Sequence, residues 1–277
     1  MRIGFADYKL ENFHANVFLR SFRDALQERG AVVTGCYALD EENGRAWAAK
    51  NNVPYFADPH ELDAQVDCYM ILAPSNPETH LDLARKFVPF GKPTYVDKTF
   101  APDLATAKQI FELADQHDTP IQTTSALRYT TVQETLEKIG REKLRHMVAW
   151  GGGSSFAEYA IHPVELVISC MGPAAQSLLR RDDDQRVQLL INFTDSRTAV
   201  VNVYPNANTP FAATLTTTEE TRYVPVDSGK IFVNTAAAVL DFFDARKALI
   251  DRDESLMIRR ILDMADDPGV RERFVRL

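Results

Sequence analysis

The chain has 277 residues, of which 45% are hydrophobic and 25% charged, and its formal net charge at pH 7 is −8. These values are typical of a globular protein of about two domains, and the acidic balance argues against nucleic acid as a partner, because phosphates are held by cationic surfaces. No run of about 18 apolar residues is present that could span a membrane. Cys36, Cys68 and Cys170 lie singly in apolar runs, which is typical of core residues. The N-terminus shows no signal-peptide pattern, so a cytoplasmic location is expected.

The first half of the sequence alternates strands and helices. Apolar runs predict strands over 2–6, 31–37, 67–73, 94–97 and 120–124, and helical spacing predicts helices over 14–30, 41–50, 78–90 and 103–117. Gly30 and Gly91 are typical helix stops, and Asp58 is a typical N-cap of a short helix. This order predicts an α/β fold, with a Rossmann-type, doubly wound parallel sheet over residues 1–125.

The pattern changes in the second half. It predicts a strand over 144–151, a helix over 161–171, alternating strands over 187–193, 198–204, 211–217 and 222–226, and a helical region over 234–265. Alternation of period two is typical of a mostly antiparallel, open sheet with one buried face. Residues 126–277 are therefore predicted to form an α+β domain for substrate binding and oligomerisation. The charged runs 180–184 and 251–254 are most simply solvated, and Gly151 to Gly153 are interpreted as clearance for a cleft.

Lys98 is the residue most indicative of function. It directly follows the apolar strand 94–97, and ligands of parallel α/β sheets bind at the carboxyl ends of the strands. A desolvated lysine at such a point can have a lowered pKa and exchange protons near neutrality. The alternative is a surface lysine paired with Asp97.

Several segments, in this order and spacing, resemble the Gfo/Idh/MocA oxidoreductase family. They are Pro74-Ser75-Asn76-Pro77-Glu78-Thr79-His80, Val96-Asp97-Lys98-Thr99, Arg128-Tyr129, the stretch from Glu158 to Glu165 around His162, and the closing helices near 241–265. The family's Glu-Lys-Pro is Asp-Lys-Thr here. The family's three loop glycines are absent from residues 4–13, and the acid expected after the second strand is replaced by Ala38.

The resemblance implies a nicotinamide cofactor, NAD or NADP, and a set of residues around it. The implied cofactor-binding residues are Gly4, Ala6, Asp7, His14, Ala38, Ala73, Pro74, Asn76, His80, Asp97 and Lys98. A histidine at the position of His14 more often serves packing than chemistry, and His80 could instead serve only to cap its helix. Asp7 and Glu11 place negative charge near the pyrophosphate, with Lys9 as a partial counter-charge.

Lys98 and His162 are the implied catalytic residues, and Lys98, Arg128, Glu158 and His162 the implied substrate-binding residues. Glu165, three residues after His162 on a helix, could orient the imidazole. His162 could alternatively be structural, and Arg128 could instead form a salt bridge at the domain junction. Glu158, His162 and Glu165 could also suggest a metal site, but no second histidine lies near in sequence and none is assigned.

The expected function is an NAD(P)-dependent oxidoreductase that moves a hydride between the cofactor and a hydroxyl/carbonyl pair of a sugar, polyol or similar small polar substrate. His162 would take the hydroxyl proton in a cleft that Lys98 also lines. One alternative is a non-catalytic, ligand-binding or regulatory relative that has lost the dinucleotide site, and another is a metal-dependent hydrolase. Leu190 and Tyr204 on the second face of the antiparallel sheet favour a homo-oligomer.

Overall fold

The structure is a computed structural model that describes residues 1–277 and separates into two compact units. The first unit comprises Met1–Thr124 and Phe232–Asp251, and the second comprises Ser125–Ile231 and Arg252–Leu277. No helix is long and apolar enough to cross a membrane.

The first unit contains a five-stranded parallel sheet. Its strands are β1 (Arg2–Asp7), β2 (Val32–Ala38), β3 (Cys68–Ile71), β4 (Thr94–Asp97) and β5 (Ile121–Thr124), in the order β2-β1-β3-β4-β5. Its helices up to this point are α1 (Phe13–Arg23), α2 (Glu41–Asn51), α3 (Pro59–Asp63), α4 (His80–Phe87) and α5 (Leu104–Gln116). Every residue of β3, β4 and β5 is buried, as expected for parallel strands covered on both faces. The predicted Rossmann-type sheet is confirmed.

The remaining elements follow in chain order. They are α6 (Thr131–Ile139), β6 (His146–Gly153), α7 (Phe156–Tyr159), α8 (Ile161–Met171), β7 (Ala175–Asp182), β8 (Val187–Phe193), β9 (Thr198–Pro205), β10 (Ala212–Thr216), β11 (Thr221–Pro225), α9 (Ile231–Ala245), α10 (Arg252–Met264) and β12 (Val275–Arg276). The second sheet has the order β11-β10-β6-β9-β8-β7-β12, and only the β6–β9 pair is parallel. The predicted α+β architecture with a mostly antiparallel sheet is confirmed.

The helical region predicted over 234–265 is two helices, and the first of them returns to the first unit. Phe242 and Phe243 of α9 are buried in the same apolar cluster as Phe18 and Phe22 of α1. Arg29 adds ion pairs of 2.9 Å to Asp241 and Asp244. The structure therefore differs here from an unbroken second domain over 126–277, because the apolar face of α9 is buried with α1.

Two local features also differ from the sequence expectations. The helix predicted over 14–30 ends at Arg23, and a 3₁₀ turn over Gln27–Arg29 leads to Gly30 in the left-handed conformation. The charged run 180–184 begins in β7, where Arg180 is 8% exposed. Its guanidinium stacks on Phe156 and pairs with Asp182 and Asp266 at 3.1 Å, so this cation is not solvated.

Candidate functional site

Polar side chains gather at the carboxyl edge of the first sheet. Asp7, His14, Tyr95, Asp97 and Lys98, here called the strand-end cluster, lie on β1, α1 and β4 or directly after β4. Asp7, Asp97 and Lys98 are all at most 7% exposed. This edge is where ligands of open parallel sheets bind.

Asp97 is the hydrogen-bonding centre of the strand-end cluster. One carboxylate oxygen lies 2.5 Å from Nδ1 of His14, and the other accepts from the Tyr95 hydroxyl at 3.2 Å and from the Lys98 backbone N–H at 2.8 Å. His14 therefore does more than pack: its ring is oriented by a carboxylate, with the ring of Phe232 5.3 Å away.

Lys98 is a buried lysine and not a surface one. Its Nζ donates to the Pro74 carbonyl, 3.2 Å away in the segment that follows β3. Asp97 accepts a hydrogen bond from the backbone N–H of Lys98. The alternative of a surface ion pair between the two side chains is therefore wrong. The Lys98–Thr99 peptide bond is cis. The ammonium group is thus held at the sheet edge by a neutral carbonyl.

Asp7 closes the turn between β1 and α1. Its carboxylate accepts from the Lys9 backbone N–H at 3.1 Å, from the Asn12 side chain at 2.9 Å and from the Ala73 backbone N–H. Burial raises the pKa of Asp7 to about 7; the hydrogen bonds oppose this shift, and the charge of Asp97 adds to it. Asp7 therefore titrates in the physiological range.

The carboxyl edge of the first sheet fits a dinucleotide in most respects. Asp7 ends β1, Ala73 and Lys98 follow β3 and β4 at the same edge, and the first turn of α1 carries no acidic side chain that would oppose an anion. Asn76 lies half-buried in the loop after β3, where its amide donates to Glu78 at 2.9 Å. The Asp7 carboxylate is the exception. It lies in the turn that approaches the pyrophosphate in this fold, where a negative charge would repel that anion.

Four other residues expected to bind the cofactor have internal roles. Gly4 and Ala6 lie within β1, and a Cβ on Gly4 would stand 3.1 Å from Val66. Ala38 ends β2, is 3% exposed and packs against α2 at Gly44. His80 is completely buried, with one ring nitrogen 2.7 Å from the Leu72 carbonyl and the other 3.0 Å from the Phe100 carbonyl.

The second unit has its own polar group around His162 at the start of α8. Nδ1 of His162 lies 3.1 Å from the Ser125 hydroxyl, and the Leu127 N–H donates to that hydroxyl at 3.3 Å. The hydroxyl hydrogen can rotate, so Ser125 can accept from a protonated Nδ1 or donate to a bare one. Ser125 was missed in the sequence analysis, although it directly follows the strand predicted over 120–124.

Glu165 is held by groups other than the imidazole it was expected to orient. It accepts from the Ser125 backbone N–H at 2.7 Å and pairs with Arg128 at 2.9 Å. Arg128 also pairs with Glu254 at 2.5 Å, so the acidic run 251–254 is not wholly solvated. The Arg128 side chain is 10% exposed. Arg128 therefore forms a buried three-residue ion network within the second unit, and Nη2 is its one buried nitrogen without a hydrogen-bond partner.

A cavity of about 460 Å³ lies beside His162. It is lined by 152–154, Tyr159, 206–211 and Ser228, none of which carries a charge. The rings of Tyr159 and Phe211 flank the imidazole, with centroids 5.8 Å and 5.7 Å away. The glycines at the end of β6 make room for these rings, because a Cβ on Gly153 would fall 2.1 Å from Tyr159. The space that these glycines were expected to leave is therefore occupied by the aromatic rings of the cavity wall.

Glu158, His162 and Glu165 do not converge on one point. Glu158 accepts from the Ser154 hydroxyl at 2.7 Å, whereas Glu165 faces Arg128 and Ser125. No group of three or more histidine, cysteine, aspartate or glutamate side chains is placed to hold a metal ion.

Residues 3–125 match the model of an oxidoreductase family described by its NAD-binding Rossmann fold, Gfo/Idh/MocA. Over these residues, the chain is similar to that family. The predicted resemblance is confirmed over this part of the chain, and the matched model describes an NAD-binding fold, in agreement with the expected nicotinamide cofactor. No curated protein matches the chain in sequence.

Solved structures resemble the whole chain. An NAD-binding oxidoreductase from Klebsiella pneumoniae has a TM-score of 0.82 at 13% identity, with 100% of this chain and 98% of that one covered. An oxidoreductase from Agrobacterium radiobacter, solved with NAD+, L-tartaric acid and magnesium, gives 0.78 at 13% identity, covering 100% and 98%. UDP-N-acetylglucosamine 3-dehydrogenase from Acidithiobacillus ferrooxidans gives 0.76 at 14% identity, covering 96% and 95%. At these identities the likeness shows the fold.

Proposed function

We propose that this protein is an NAD(P)-dependent dehydrogenase that interconverts a hydroxyl and a carbonyl on a small, uncharged polar substrate such as a sugar or polyol. The observation that carries the proposal is the buried Lys98 at the carboxyl end of β4, in a segment that matches the model of an NAD-binding family. Burying an ammonium group costs free energy. A buried lysine at a ligand-binding edge is therefore a candidate functional residue.

The cavity beside His162 supports an uncharged substrate. Its lining offers the side-chain amides of Asn206 and Asn208, hydroxyl groups, and two aromatic rings, and it contains no cation that would pair with a carboxylate or phosphate. Aromatic faces with a few placed hydrogen-bonding groups suit a compact polyhydroxylated molecule. The contact of Arg128 with substrate, implied by the family resemblance, receives less support, because the guanidinium is engaged by two carboxylates.

In the proposed mechanism the chain's own residues move the proton and stabilise charge. When bound, the nicotinamide ring accepts or gives the hydride. His162 removes the substrate hydroxyl proton through Nε2 while Ser125 holds Nδ1, and the Lys98 ammonium stabilises the negative charge that develops on the substrate oxygen. The strand-end backbone around Ala73 to Asn76 and the Asp7 turn would hold the dinucleotide.

The test measures binding and turnover separately. Fluorescence titration with NADH and NADPH should show micromolar binding, and a panel of neutral sugars and polyols should contain a substrate whose oxidation is followed at the nicotinamide absorbance. Lys98→Met should abolish turnover with folding intact. Lys92→Met is the matched control, because Lys92 lies in the same unit, where it pairs with Asp63.

Two results would contradict the proposal. If neither dinucleotide binds up to millimolar concentration, the protein is better explained as a ligand-binding relative without cofactor. Retained turnover in Lys98→Met would remove Lys98 from the mechanism. A homo-oligomer, expected from the open sheet face where Leu190 and Tyr204 are half-buried, remains a proposal that light scattering would test.

A further inference from the structure

Asp7 lies at the start of the turn between β1 and α1, where this fold normally carries glycines that allow a tight turn and the approach of the backbone to pyrophosphate. In Rossmann domains the pyrophosphate comes to the N-terminus of the first helix, directly after the first strand. Here Asp7 is the last residue of β1, its side chain is buried, and its carboxylate is bound to Asn12, which is the N-cap of α1. A negative charge on Asp7 would therefore oppose the cofactor's own anion at close range.

The turn fixes Asp7 in this position. The Asn12 amide donates to Asp7 at 2.9 Å and to the Lys9 carbonyl at 2.6 Å, while its oxygen accepts from the Ala15 N–H at 2.9 Å. The backbone N–H of Leu39 also donates to the Asp7 carbonyl at 3.0 Å. Swinging the carboxylate away from α1 would break its own bonds to the Asn12 amide and the Lys9 N–H, so a proton is the less disruptive way to remove its charge.

The charged groups around Asp7 do not neutralise it. From β4 it faces Asp97, another carboxylate, whose own partner is His14 at 2.5 Å. From its own turn, Lys9 contributes a backbone N–H, while the Lys9 ammonium is half exposed and lies 3.6 Å from Asp40. From β3 and α1 the contacts are the neutral groups of Ala73 and Asn12.

We propose that Asp7 takes up one proton when the dinucleotide binds, so that a neutral carboxyl lies beside the pyrophosphate. This inference rests on the proposed function. Burial already brings the pKa of Asp7 to about 7 in the free protein, and a bound anion raises it further. Binding is thereby coupled to pH: affinity is highest below about pH 7 and declines as pH rises, by at most about tenfold per pH unit.

The experiment measures NADH affinity and proton uptake on the same samples. Isothermal titration calorimetry at pH 8 in buffers of different ionisation enthalpy gives the number of protons taken up, and fluorescence gives Kd between pH 6.5 and 8.5. NADH is the probe because its pyrophosphate does not titrate in this range. For the unaltered protein we expect uptake approaching one proton and a Kd that rises about twentyfold across the range.

Asp7→Asn imitates the neutral carboxyl and should bind NADH at pH 8.5 about as tightly as the unaltered protein does at pH 6.5, with no proton uptake. Asp58→Asn removes an exposed helix-capping carboxylate and should behave as the unaltered protein does.

The outcomes separate this inference from the proposed function. Tight binding with no proton uptake, or uptake that persists in Asp7→Asn, would overturn the role of Asp7 and leave the dehydrogenase proposal standing. Absence of NADH binding in both proteins at every pH would overturn this inference, and absence of NADPH binding as well would overturn the dehydrogenase proposal itself. Because uptake is measured on the unaltered protein, the inference can fail even if the variant does not fold.

Discussion

Replacing Arg128 by methionine should destabilise the second unit strongly. The substitution removes the cation from two carboxylates, Glu165 and Glu254, whose side chains are only 4% and 18% exposed. Removing one partner of a buried ion network leaves uncompensated buried charge, which costs about 3–5 kcal/mol. Methionine keeps most of the side-chain volume, so the loss is electrostatic in origin. The matched control is Arg222→Met, whose pair with Glu220 is 47% and 42% exposed and should contribute less than about 1 kcal/mol.

Urea denaturation can follow this unit by itself, because the chain has two tryptophans, Trp47 in the first unit and Trp150 in the second. In a Trp47→Phe background the remaining fluorescence reports on the second unit. Adding Glu165→Gln to Arg128→Met should recover about 1–2 kcal/mol, since it removes one stranded charge. An Arg128→Met loss no larger than that of Arg222→Met, or no recovery in the double variant, would refute the reasoning.

Three further predictions concern separate sites. Because the pKa of Asp7 is about 7 in the folded chain against 3.8 as the reference value, the folded state binds the extra proton between these values. Stability should therefore fall as pH rises from about 4 to 7, by up to about 4 kcal/mol, and Asp7→Asn should flatten this dependence in denaturation midpoints. Ser125→Ala should lower kcat about tenfold and shift its pH profile, with Ser125→Thr restoring both, if the hydroxyl positions His162. Gly153→Ala should raise KM more than it lowers kcat, since the new Cβ displaces the Tyr159 ring; equal effects would argue against a substrate role for the cavity.

Local pattern accounts for most elements and for part of the candidate site. The helix over 161–171 and the strand over 94–97 have their predicted limits, because the periodicity and flanking residues of each lie within a single short segment. By contrast, α6 and β7 went unpredicted. In β7 the charges from Arg180 to Asp182 suggested solvent, whereas Asp266, a partner of Arg180, lies 86 residues after it in the chain. A charge pattern cannot reveal that its counter-ion comes from a distant segment.

The amino-acid sequence alone determined the two-sheet architecture, the family resemblance and the placement of Lys98 at the end of a buried strand, because these follow from short-range patterns. Tertiary packing decided which groups meet. Asp97 was a neighbour of Lys98 in sequence, yet its carboxylate orients His14, 83 residues away. Glu165 was expected to orient His162, yet Ser125, 37 residues before that histidine, contacts the ring. Hydrogen bonds are satisfied by whichever donor the packed elements bring within about 3 Å, and that choice depends on strand order and helix docking, not on sequence spacing.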